Sequence, residues 1–411
     1  MKAEIITIGD ELLIGQVIDT NSAWLGQQLS LLGISLYQRT ACGDSKEQIL
    51  SCLKDAENRS DIIIITGGLG PTKDDITKKT MCEYFNTTLV VDEKVLEWVT
   101  RIFRMRKMEM LETNLQQAMI PANSKTLWNR SGTAPGMWFD INNKIFISLP
   151  GVPFEMKTIF EEEAIPLIKN KFTLPFIYHR TLQTCSIGES YLAEKIIDIE
   201  ETLPQHIKLA YLPSVGAVRL RLSAHGNNES EVMNDVAVIV NKMYERIGEY
   251  IYGENNDSLS EVVGKLLTNK NKTMATAESC TGGFIAHQIT SIPGSSKYFT
   301  GSIVSYDNKI KQQELNVSNT ILNNEGAVSE ACVKQMATEI LSKFNVDYAI
   351  ATSGIAGPDG GSEEKPVGTV WIAVASRNEI ITKKFNMGDN RERTILRTSI
   401  SALDMLRKMI L

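Results

Sequence analysis

The feature that most constrains the fold is a run of four isoleucines, Ile62 to Ile65, in the segment from Asp61 to Thr66. A strand that is apolar on both faces must be covered on both sides, as in a parallel sheet flanked by helices. Similar β-like runs occur from Ala3 to Gly9 and from Ile34 to Thr40, and amphipathic helical patterns separate them. This alternation predicts an α/β fold, with ligands at the carboxyl ends of the strands.

The length of 411 residues is too great for one ordinary core and predicts about three domains. We expect an N-terminal parallel-sheet domain over residues 1–170, a small α+β module over 175–252 and a C-terminal α/β domain over 256–411. The first boundary is a linker around Pro175. The second precedes a capping box of Ser258 and Glu261, which predicts the start of a helix.

The composition disfavours several classes of protein. A formal net charge of −6 gives no broad attraction to nucleic acid. The six cysteines include no CxxC pair, so neither a disulfide framework nor a zinc site is predicted. No apolar run approaches the roughly 18 residues of a membrane span, and the N-terminal residues lack the apolar core of a signal peptide. We therefore expect a soluble, cytoplasmic protein with no membrane partner.

A glycine-rich loop after the isoleucine strand, from Gly67 to Thr77, is the first candidate site. Its glycines would let a phosphate approach backbone N–H groups. A second buried strand, Lys144 to Leu149, ends in a Pro/Gly turn at the same edge of the predicted sheet. The candidate substrate-binding residues at this edge are Gly67, Gly68, Gly70, Thr72, Asn21, Gly151 and Pro153.

Four carboxylates near this edge are candidate metal ligands: Asp10, Glu11, Asp74 and Asp75. Carboxylate oxygens suit Mg²⁺. The alternative for Asp74 and Asp75 is structural, because acidic residues at the start of a helix complement its dipole. The residues alone leave both interpretations open.

The second candidate site is the segment from Thr276 to Gly283, where a strand becomes a helix. It offers three possible nucleophiles, Ser279, Cys280 and Thr281, and backbone N–H groups that suit an oxyanion or a phosphate. The alternative is a simple helix N-cap. A second loop, from Ser353 to Ser362, follows another predicted strand and is expected to converge on the same edge.

A nucleophile at this site requires a base. The single histidine of this domain, His287, lies in the helix after the loop, which gives poor support to a Ser–His or Cys–His pair. Lys309 or Lys311 could act as a neutral amine if burial lowered its pKa. The alternative is that both lysines are hydrated residues at the start of a helix.

Six motifs occur in one order along the chain. They are Gly67 to Thr77, Gly132 to Gly136, Leu149 to Pro153, Ala277 to Gly283, Ser353 to Gly361 and Lys365 to Trp371. Together they resemble the CinA family, competence/damage-inducible protein A. The resemblance implies an N-terminal domain similar to molybdopterin-binding proteins with ADP-ribose pyrophosphatase activity, a KH-like middle module and a C-terminal nicotinamide-nucleotide amidase.

The resemblance also implies roles for residues of the C-terminal domain. Ser279 would be the nucleophile, Lys311 the base and Tyr306 an orienting hydroxyl. Backbone donors of Thr281, Gly282 or Gly283 would hold the oxyanion or the phosphate. The remaining implied contacts are Ser353 and Gly354 to the nucleotide, and Arg391 or Arg393 to its phosphate.

Ligands and partners are implied in the same way. The substrates would be nicotinamide mononucleotide and ADP-ribose, and the chain would form a homodimer. The N-terminal domain would use a divalent metal such as Mg²⁺, with K⁺ as a further candidate ion, whereas no cofactor is expected in the amidase domain. Two alternatives remain: an N-terminal domain that binds or adenylylates molybdopterin, and a non-enzymatic partner in competence or recombination.

Overall fold

A computed structural model describes residues 1–72 and 75–411 of the chain. The described residues form two compact units. The first comprises Met1–Tyr178 with His225–Glu229, and the second comprises His179–Ala224 with Ser230–Leu411. Most of the middle module therefore belongs to the same unit as the C-terminal domain.

The first unit alternates strands with helices. Its strands are β1 (Lys2–Ile8), β2 (Ser35–Cys42), β3 (Ile62–Thr66), β4 (Leu89–Val91), β5 (Met119–Pro121), β6 (Lys125–Leu127), β7 (Gly136–Ile141) and β8 (Lys144–Leu149). Its helices are α1 (Asp10–Leu13), α2 (Thr20–Leu31), α3 (Lys46–Arg59), α4 (Thr77–Tyr84), α5 (Glu93–Met105), α6 (Glu112–Leu115), α7 (Pro153–Ile159) and α8 (Ile165–Lys171).

The main sheet of this unit has the strand order β2-β1-β3-β8-β7-β6. The first four strands pair in parallel, and β7 and β6 are antiparallel additions on one side. The predicted α/β class is confirmed, although the sheet is mixed and not purely parallel. The glycine loop after β3 and the turn after β8 lie at the same sheet edge, as predicted, because these two strands are parallel neighbours.

The isoleucine strand β3 is covered on both faces. Ile62 and Ile64 pack in a buried cluster that contains Leu25 of α2. The other two isoleucines pack in a second buried cluster with Ile49 of α3. Successive side chains of a strand point to opposite faces, so helices on both sides are needed to bury all four.

The second unit contains the middle module and the C-terminal domain. The remaining strands are β9 (Phe176–Cys185), which begins in the first unit, β10 (Ile207–Ser214), β11 (Ala217–Gly226), β12 (Ile251–Glu254), β13 (Met274–Glu278), β14 (Phe299–Val304), β15 (Tyr348–Gly354), β16 (Thr369–Ser376) and β17 (Ile380–Asn386). The remaining helices are α9 (Glu189–Glu201), α10 (Glu229–Ile247), α11 (Leu259–Asn269), α12 (Phe284–Thr290), α13 (Asn308–Leu315), α14 (Asn319–Asn324), α15 (Glu330–Lys343) and α16 (Arg391–Ile410).

The middle module has a sheet of order β10-β11-β9-β12. The sheet of the C-terminal domain has the order β14-β13-β15-β16-β17, in which β14, β13 and β15 are parallel and the last two strands are antiparallel. Helix α15 covers one face, and α11 and α16 cover the other. The carboxyl ends of β13 and β15 therefore meet at one edge, where they place the loops that the sequence singles out.

A buried charge network joins α16 to the middle module. The carboxylate of Asp404 accepts hydrogen bonds from Ser186 Oγ at 2.7 Å and from Arg407 Nη2 at 2.8 Å. Arg407 Nη2 also donates to the carbonyl oxygen of Glu249 at 3.0 Å. Both charged side chains are at least nine-tenths buried and paired, which fixes the position of the helix that begins at Arg391.

Candidate active site

Ser279 and Lys311 meet at the carboxyl edge of the C-terminal sheet. Ser279 directly follows β13, and its backbone N–H donates to the carbonyl of Thr352 in β15 at 3.0 Å. Lys311 lies in α13, which begins after the neighbouring strand β14. The Nζ atom of Lys311 is 3.0 Å from Ser279 Oγ. The fold thus brings together a hydroxyl and an amine that are 32 residues apart in the chain.

The amine of Lys311 is deeply buried. Only 1% of the residue is exposed, and Nζ also donates to the carbonyl oxygens of Ser305 at 2.7 Å and Tyr306 at 3.3 Å. Burial lowers the pKa of Lys311 from its ordinary value of 10.5, against smaller opposing effects of Cys332, Cys280 and Asp307. A neutral amine has a lone pair that can accept a proton. Burial rules out the alternative of a hydrated lysine for Lys311, whereas Lys309 is exposed, as that alternative expected.

Cys280 does not have the properties of a nucleophile. Burial raises the pKa of its thiol to about 12, although the nearby Lys311 opposes the shift. The thiolate is the reactive form of cysteine, and it is scarce at neutral pH when the pKa is this high. Between the candidate nucleophiles, the geometry and the electrostatics therefore favour Ser279.

Two of the three backbone donors predicted to hold an oxyanion or a phosphate, those of Gly282 and Gly283, have partners within the protein. The N–H of Gly282 donates to the carbonyl of Ser279 at 3.1 Å, and the N–H of Gly283 donates to the carboxylate of Glu278 at 3.0 Å. Thr281 is buried, and its hydroxyl is bonded to that of Thr352 at 2.8 Å. A buried glutamate carboxylate thus binds the N–H of Gly283 at the start of α12, and among the three predicted donors the N–H of Thr281 remains a candidate for an oxyanion.

Tyr306 has a different place from the one expected. Its side chain is 60% exposed, and its hydroxyl accepts a hydrogen bond from Arg391 Nη2 at 2.8 Å. Its contact with Lys311 is made by the backbone carbonyl and not by the hydroxyl. Tyr306 therefore orients Arg391 and does not orient the serine or the lysine through its hydroxyl.

The structure also separates the two candidate arginines. Arg391, the first residue of α16, lines the same cavity as Ser279, and its Nη1 donates to the carbonyl of Gly357 at 2.9 Å. Arg393 is an exposed residue two positions further along the helix and does not line this cavity. A guanidinium has five N–H donors, so Arg391 retains donors for an anion after these two bonds.

The cavity at this site has a volume of about 240 Å³. Its lining comprises Ser279, Cys280, Tyr306, Asn308, Lys311, Ala327, Val328, Ser353, Gly354, Ala356 and Arg391. Ser353 and Gly354 lie where the sequence predicts, with Ser353 Oγ donating to the carbonyl of Ala327 at 2.7 Å. Asn308, Ala327 and Val328 were not predicted. The signal that could have found Asn308 is its spacing of three residues from Lys311 in one helix.

A larger cavity of about 900 Å³ lies in the same unit, between the middle module and α16. It is lined by Arg397, Asp404 and Lys383 among others, and none of the predicted site residues contacts it. We place the reactive site in the smaller cavity because that cavity contains both the serine and the buried amine. Volume alone does not identify chemistry.

The predicted site of the first unit is assembled in part. Asn21 Nδ2 donates to the carbonyl of Gly151 at 2.8 Å, which links the start of α2 to the turn after β8. Gly67 and Gly68 both have positive φ, and a Cβ at Gly67 would collide with the carbonyl of Ile8. Pro153 is an exposed residue at the first position of α7. The positive φ angles of Gly67 and Gly68 thus favour glycine at these two positions whether or not a ligand binds.

Two of the carboxylates predicted to bind a metal, Asp10 and Asp75, have hydrogen-bond partners within the protein. Asp75 accepts hydrogen bonds from the backbone N–H groups of Gly70 at 2.8 Å and Thr72 at 2.9 Å, and from the Thr72 hydroxyl. Asp10 exchanges hydrogen bonds with Asp44. Asp74 lies outside the described residues. Within residues 1–72 and 75–411, Asp10, Glu11 and Asp75 belong to no group of three or more potential metal ligands.

Two polar atoms near the same edge are left without a partner in the described part of the chain. They are Asn21 Oδ1 and Thr77 Oγ1, both buried. Buried polar atoms normally have hydrogen-bond partners. Asn21 Oδ1 and Thr77 Oγ1 thus have unused hydrogen-bonding capacity.

Fold and site together define a multidomain α/β protein whose C-terminal domain carries a buried serine–lysine pair. Family models match three consecutive segments: a probable molybdopterin binding domain at residues 4–170, a damage-inducible protein CinA KH domain at 179–253 and a CinA C-terminal domain at 256–410.

Relatives match over the full chain. A CinA-like protein of Cytophaga hutchinsonii is 48% identical, over 99% of this chain and 98% of its own. A CinA-like protein of Flavobacterium psychrophilum is 49% identical, over 100% and 99%. The crystal structure of competence/damage inducible protein CihA from Agrobacterium tumefaciens is 40% identical and covers 36% of this chain and 91% of that chain, with a TM-score of 0.36. The chain belongs to the CinA family, and the resemblance inferred from the motifs is confirmed.

Helices long and apolar enough to cross a bilayer are absent from the described residues.

Proposed function

We propose that the C-terminal domain hydrolyses the carboxamide of nicotinamide mononucleotide to nicotinate mononucleotide and ammonia. The observation that carries this proposal is the 3.0 Å contact between Lys311 Nζ and Ser279 Oγ, with the amine buried. Burial favours the neutral amine, and a neutral amine at this distance can take the serine proton as a general base. The family resemblance supplies the substrate.

The reaction follows from these two groups. Ser279 Oγ attacks the carboxamide carbon while its proton passes to Lys311 Nζ. The tetrahedral intermediate then breaks its C–N bond, and the leaving nitrogen takes the proton from the Lys311 ammonium and departs as ammonia. Water, deprotonated by the same amine, attacks the acyl ester and releases the carboxylic acid with the serine hydroxyl restored.

The cavity supports an arrangement of the substrate. Its volume of about 240 Å³ is below the roughly 300–1,000 Å³ of pockets that enclose a drug-sized ligand, so a whole nucleotide would extend beyond it. We propose that the pyridine carboxamide occupies the cavity and that the phosphate lies outside, toward the free donors of Arg391. An arginine fork suits a phosphate because it can bind two oxygens at once.

The test is ammonia release from nicotinamide mononucleotide by the purified full-length chain at neutral to mildly alkaline pH. The proposal expects stoichiometric ammonia and nicotinate mononucleotide, and no activity in Ser279→Ala. Absence of ammonia release from the wild-type chain would defeat the proposed substrate.

A second proposal concerns the first unit, and the unpartnered atoms Asn21 Oδ1 and Thr77 Oγ1 motivate it. We propose that this edge binds ADP-ribose, which the family resemblance suggests is cleaved to AMP and ribose 5-phosphate. A metal dependence is expected from the resemblance. Calorimetry with ADP-ribose and with molybdopterin, each with and without Mg²⁺, separates the two candidate ligands.

A further inference from the structure

Glu278 is a fully buried carboxylate with no salt-bridge partner among the described residues, and it directly precedes Ser279. It accepts four hydrogen bonds. Three come from the backbone N–H groups of Gly283 at 3.0 Å, Ile285 at 3.1 Å and Ala286 at 2.8 Å. The fourth comes from the hydroxyl of Thr276 at 3.1 Å. A buried anion is thus stabilised by donors alone, three of them at the positive end of α12.

The direction of the side-chain bonds follows from the chemistry of the groups. An ionised carboxylate can only accept, so the Thr276 hydroxyl must donate its single proton to Glu278. The Thr276 hydroxyl also lies 2.8 Å from the Ser302 hydroxyl of β14, within hydrogen-bond distance. The sequence of bonds from Ser302 through Thr276 to Glu278 links β14 and β13 to the start of α12.

The backbone of Glu278 links the nucleophile to the base. Its carbonyl accepts from the N–H of Ser305 at 2.8 Å, and the carbonyl of Ser305 accepts from Lys311 Nζ at 2.7 Å. Its side chain meanwhile fixes the turn that follows Ser279. Glu278 therefore fixes the loop that carries Ser279. Through Ser305 it also fixes the carbonyl group to which Lys311 Nζ donates.

We propose that Glu278 is a positioning residue that sets the distance between Ser279 Oγ and Lys311 Nζ. It does not line the cavity, so its effect on the reaction is indirect. The inference rests on the proposed serine–lysine mechanism but not on the identity of the amide.

The ability of both carboxylate oxygens to accept hydrogen bonds is essential to this role. Each carboxylate oxygen of Glu278 faces two donors: Thr276 and Ala286 at Oε1, and Gly283 and Ile285 at Oε2. In Glu278→Gln one of these oxygens becomes an NH₂ group, which is itself a donor and cannot accept from either neighbour. The turn from Ser279 to Gly283 would then have to move, so that the donors facing the new NH₂ group could find other acceptors.

The experiment measures the reactivity of Ser279 without using the proposed substrate. The full-length wild type and its variants are treated with phenylmethylsulfonyl fluoride, and the adduct at residue 279 is followed by mass spectrometry. We expect the rate of modification to fall about 100-fold in Glu278→Gln, the size of effect that a displacement of about 1 Å produces. Thr276→Val, which removes one hydrogen bond and keeps the side-chain shape, should lower it by about threefold to tenfold.

Glu4→Gln is the matched control. Glu4 is also fully buried, but its carboxylate is paired with Arg59 in the first unit. Its loss should leave the modification of Ser279 within about twofold of the wild type. Folding of each variant is checked by circular dichroism, and Thr276→Val keeps the test decisive should Glu278→Gln fail to fold.

Steady-state kinetics separate positioning from general destabilisation. With nicotinamide mononucleotide, kcat should fall in parallel with the rate of modification, while KM stays within about threefold because Arg391 is untouched. Equal modification of Ser279 in wild type and folded Glu278→Gln, or wild-type modification in Thr276→Val, would overturn the inference. If the wild type is modified at Ser279 but releases no ammonia, nicotinamide mononucleotide is not the substrate. The proposed role of Glu278 is unaffected by that result.

Discussion

The two strand-end loops of this protein look alike in sequence but differ in what their polar groups are bonded to. In the first unit, the carboxylate of Asp75 is engaged by Gly70 and Thr72 of its own loop. In the C-terminal domain, Ser279 faces a buried amine from a separate helix. A glycine-containing turn after a parallel strand is therefore not sufficient for a reactive site. A reactive site also requires a second helix or strand that supplies a base able to accept the proton of the nucleophile.

Glu278 and Asp75 have the same structural role in the two loops. Both carboxylates accept backbone N–H groups of a loop and hold its shape. The Glu278 loop carries a nucleophile whose base lies on another helix, whereas the Asp75 loop carries no such group among its described residues. Loop architecture is common to both sites, and the chemistry is specific to one.

The largest expected effect is that of Ser279→Ala. Removal of the attacking oxygen should lower ammonia release from nicotinamide mononucleotide by at least about 1,000-fold. Cys280→Ala is the control and should retain activity within a few-fold, because the Cys280 thiol has a pKa raised to about 12 by burial. Loss of activity in Cys280→Ala with retention in Ser279→Ala would reassign the nucleophile.

The next effect is that of Lys311→Met, which keeps an unbranched side chain, one heavy atom shorter, and removes the base. We expect kcat to fall by about 100-fold to 10,000-fold. In the wild type the rate should rise with pH until the lowered pKa of Lys311 is passed, since only the neutral amine accepts the proton. A pH profile that is flat below pH 10 would contradict this assignment.

The lowered pKa of Lys311 also affects the stability of the folded protein. Burial lowers the pKa of Lys311 below 10.5, so between that lowered pKa and 10.5 the unfolded chain binds a proton that the folded chain does not. The free energy of unfolding should therefore rise with pH across this window. Chemical denaturation at several pH values should show this slope in the wild type and a smaller slope in Lys311→Met.

A smaller effect is expected from Arg391→Ala. Loss of a hydrogen-bonded charge at the phosphate should raise KM by about 10-fold to 100-fold and change kcat little. Arg393→Ala, two positions along the same helix, should leave both constants within about twofold. Equal effects of the two substitutions would remove the basis for choosing between them.

The smallest effect concerns Asp75→Ala in the first unit. Because Asp75 holds its own loop, we expect a loss of about 1–3 kcal/mol in the free energy of unfolding of that unit. The Mg²⁺ concentration that half-activates any ADP-ribose cleavage should stay within about twofold. A tenfold increase in that concentration without loss of stability would instead identify Asp75 as a metal ligand and remove the contrast between the two loops.

Local patterns predicted many elements of the fold. Helix α16 is an element that local patterns determine, because Asn390 caps it and its apolar residues recur at helical spacing. Strand β17 gives a weak signal in the sequence because it lies at a sheet edge, carries Lys383 and Lys384, and has no fully buried residue. Edge strands have a weak hydrophobic signal because only part of their surface contacts the core.

Long-range contacts limited what the sequence could indicate about the site. The hydrogen bond between Arg391 and Tyr306 spans 85 residues, and spacing along the chain gives no sign of it. Glu278 was missed for another reason: a glutamate at the end of a strand resembles a solvent-facing residue, and only the fold shows that it is buried. The order of the motifs pointed to Ser279 and Lys311 as nucleophile and base. The contacts that support these two residues are visible only in the three-dimensional structure.

The most direct test of the serine–lysine mechanism is to trap its covalent intermediate. The wild-type chain is mixed with nicotinamide mononucleotide, quenched in acid within the first turnover and digested for mass spectrometry. The mechanism predicts a nicotinate mononucleotide acyl ester on Ser279, formed together with one equivalent of ammonia. An acyl group on Cys280, or turnover with no adduct and full activity in Ser279→Ala, would contradict it.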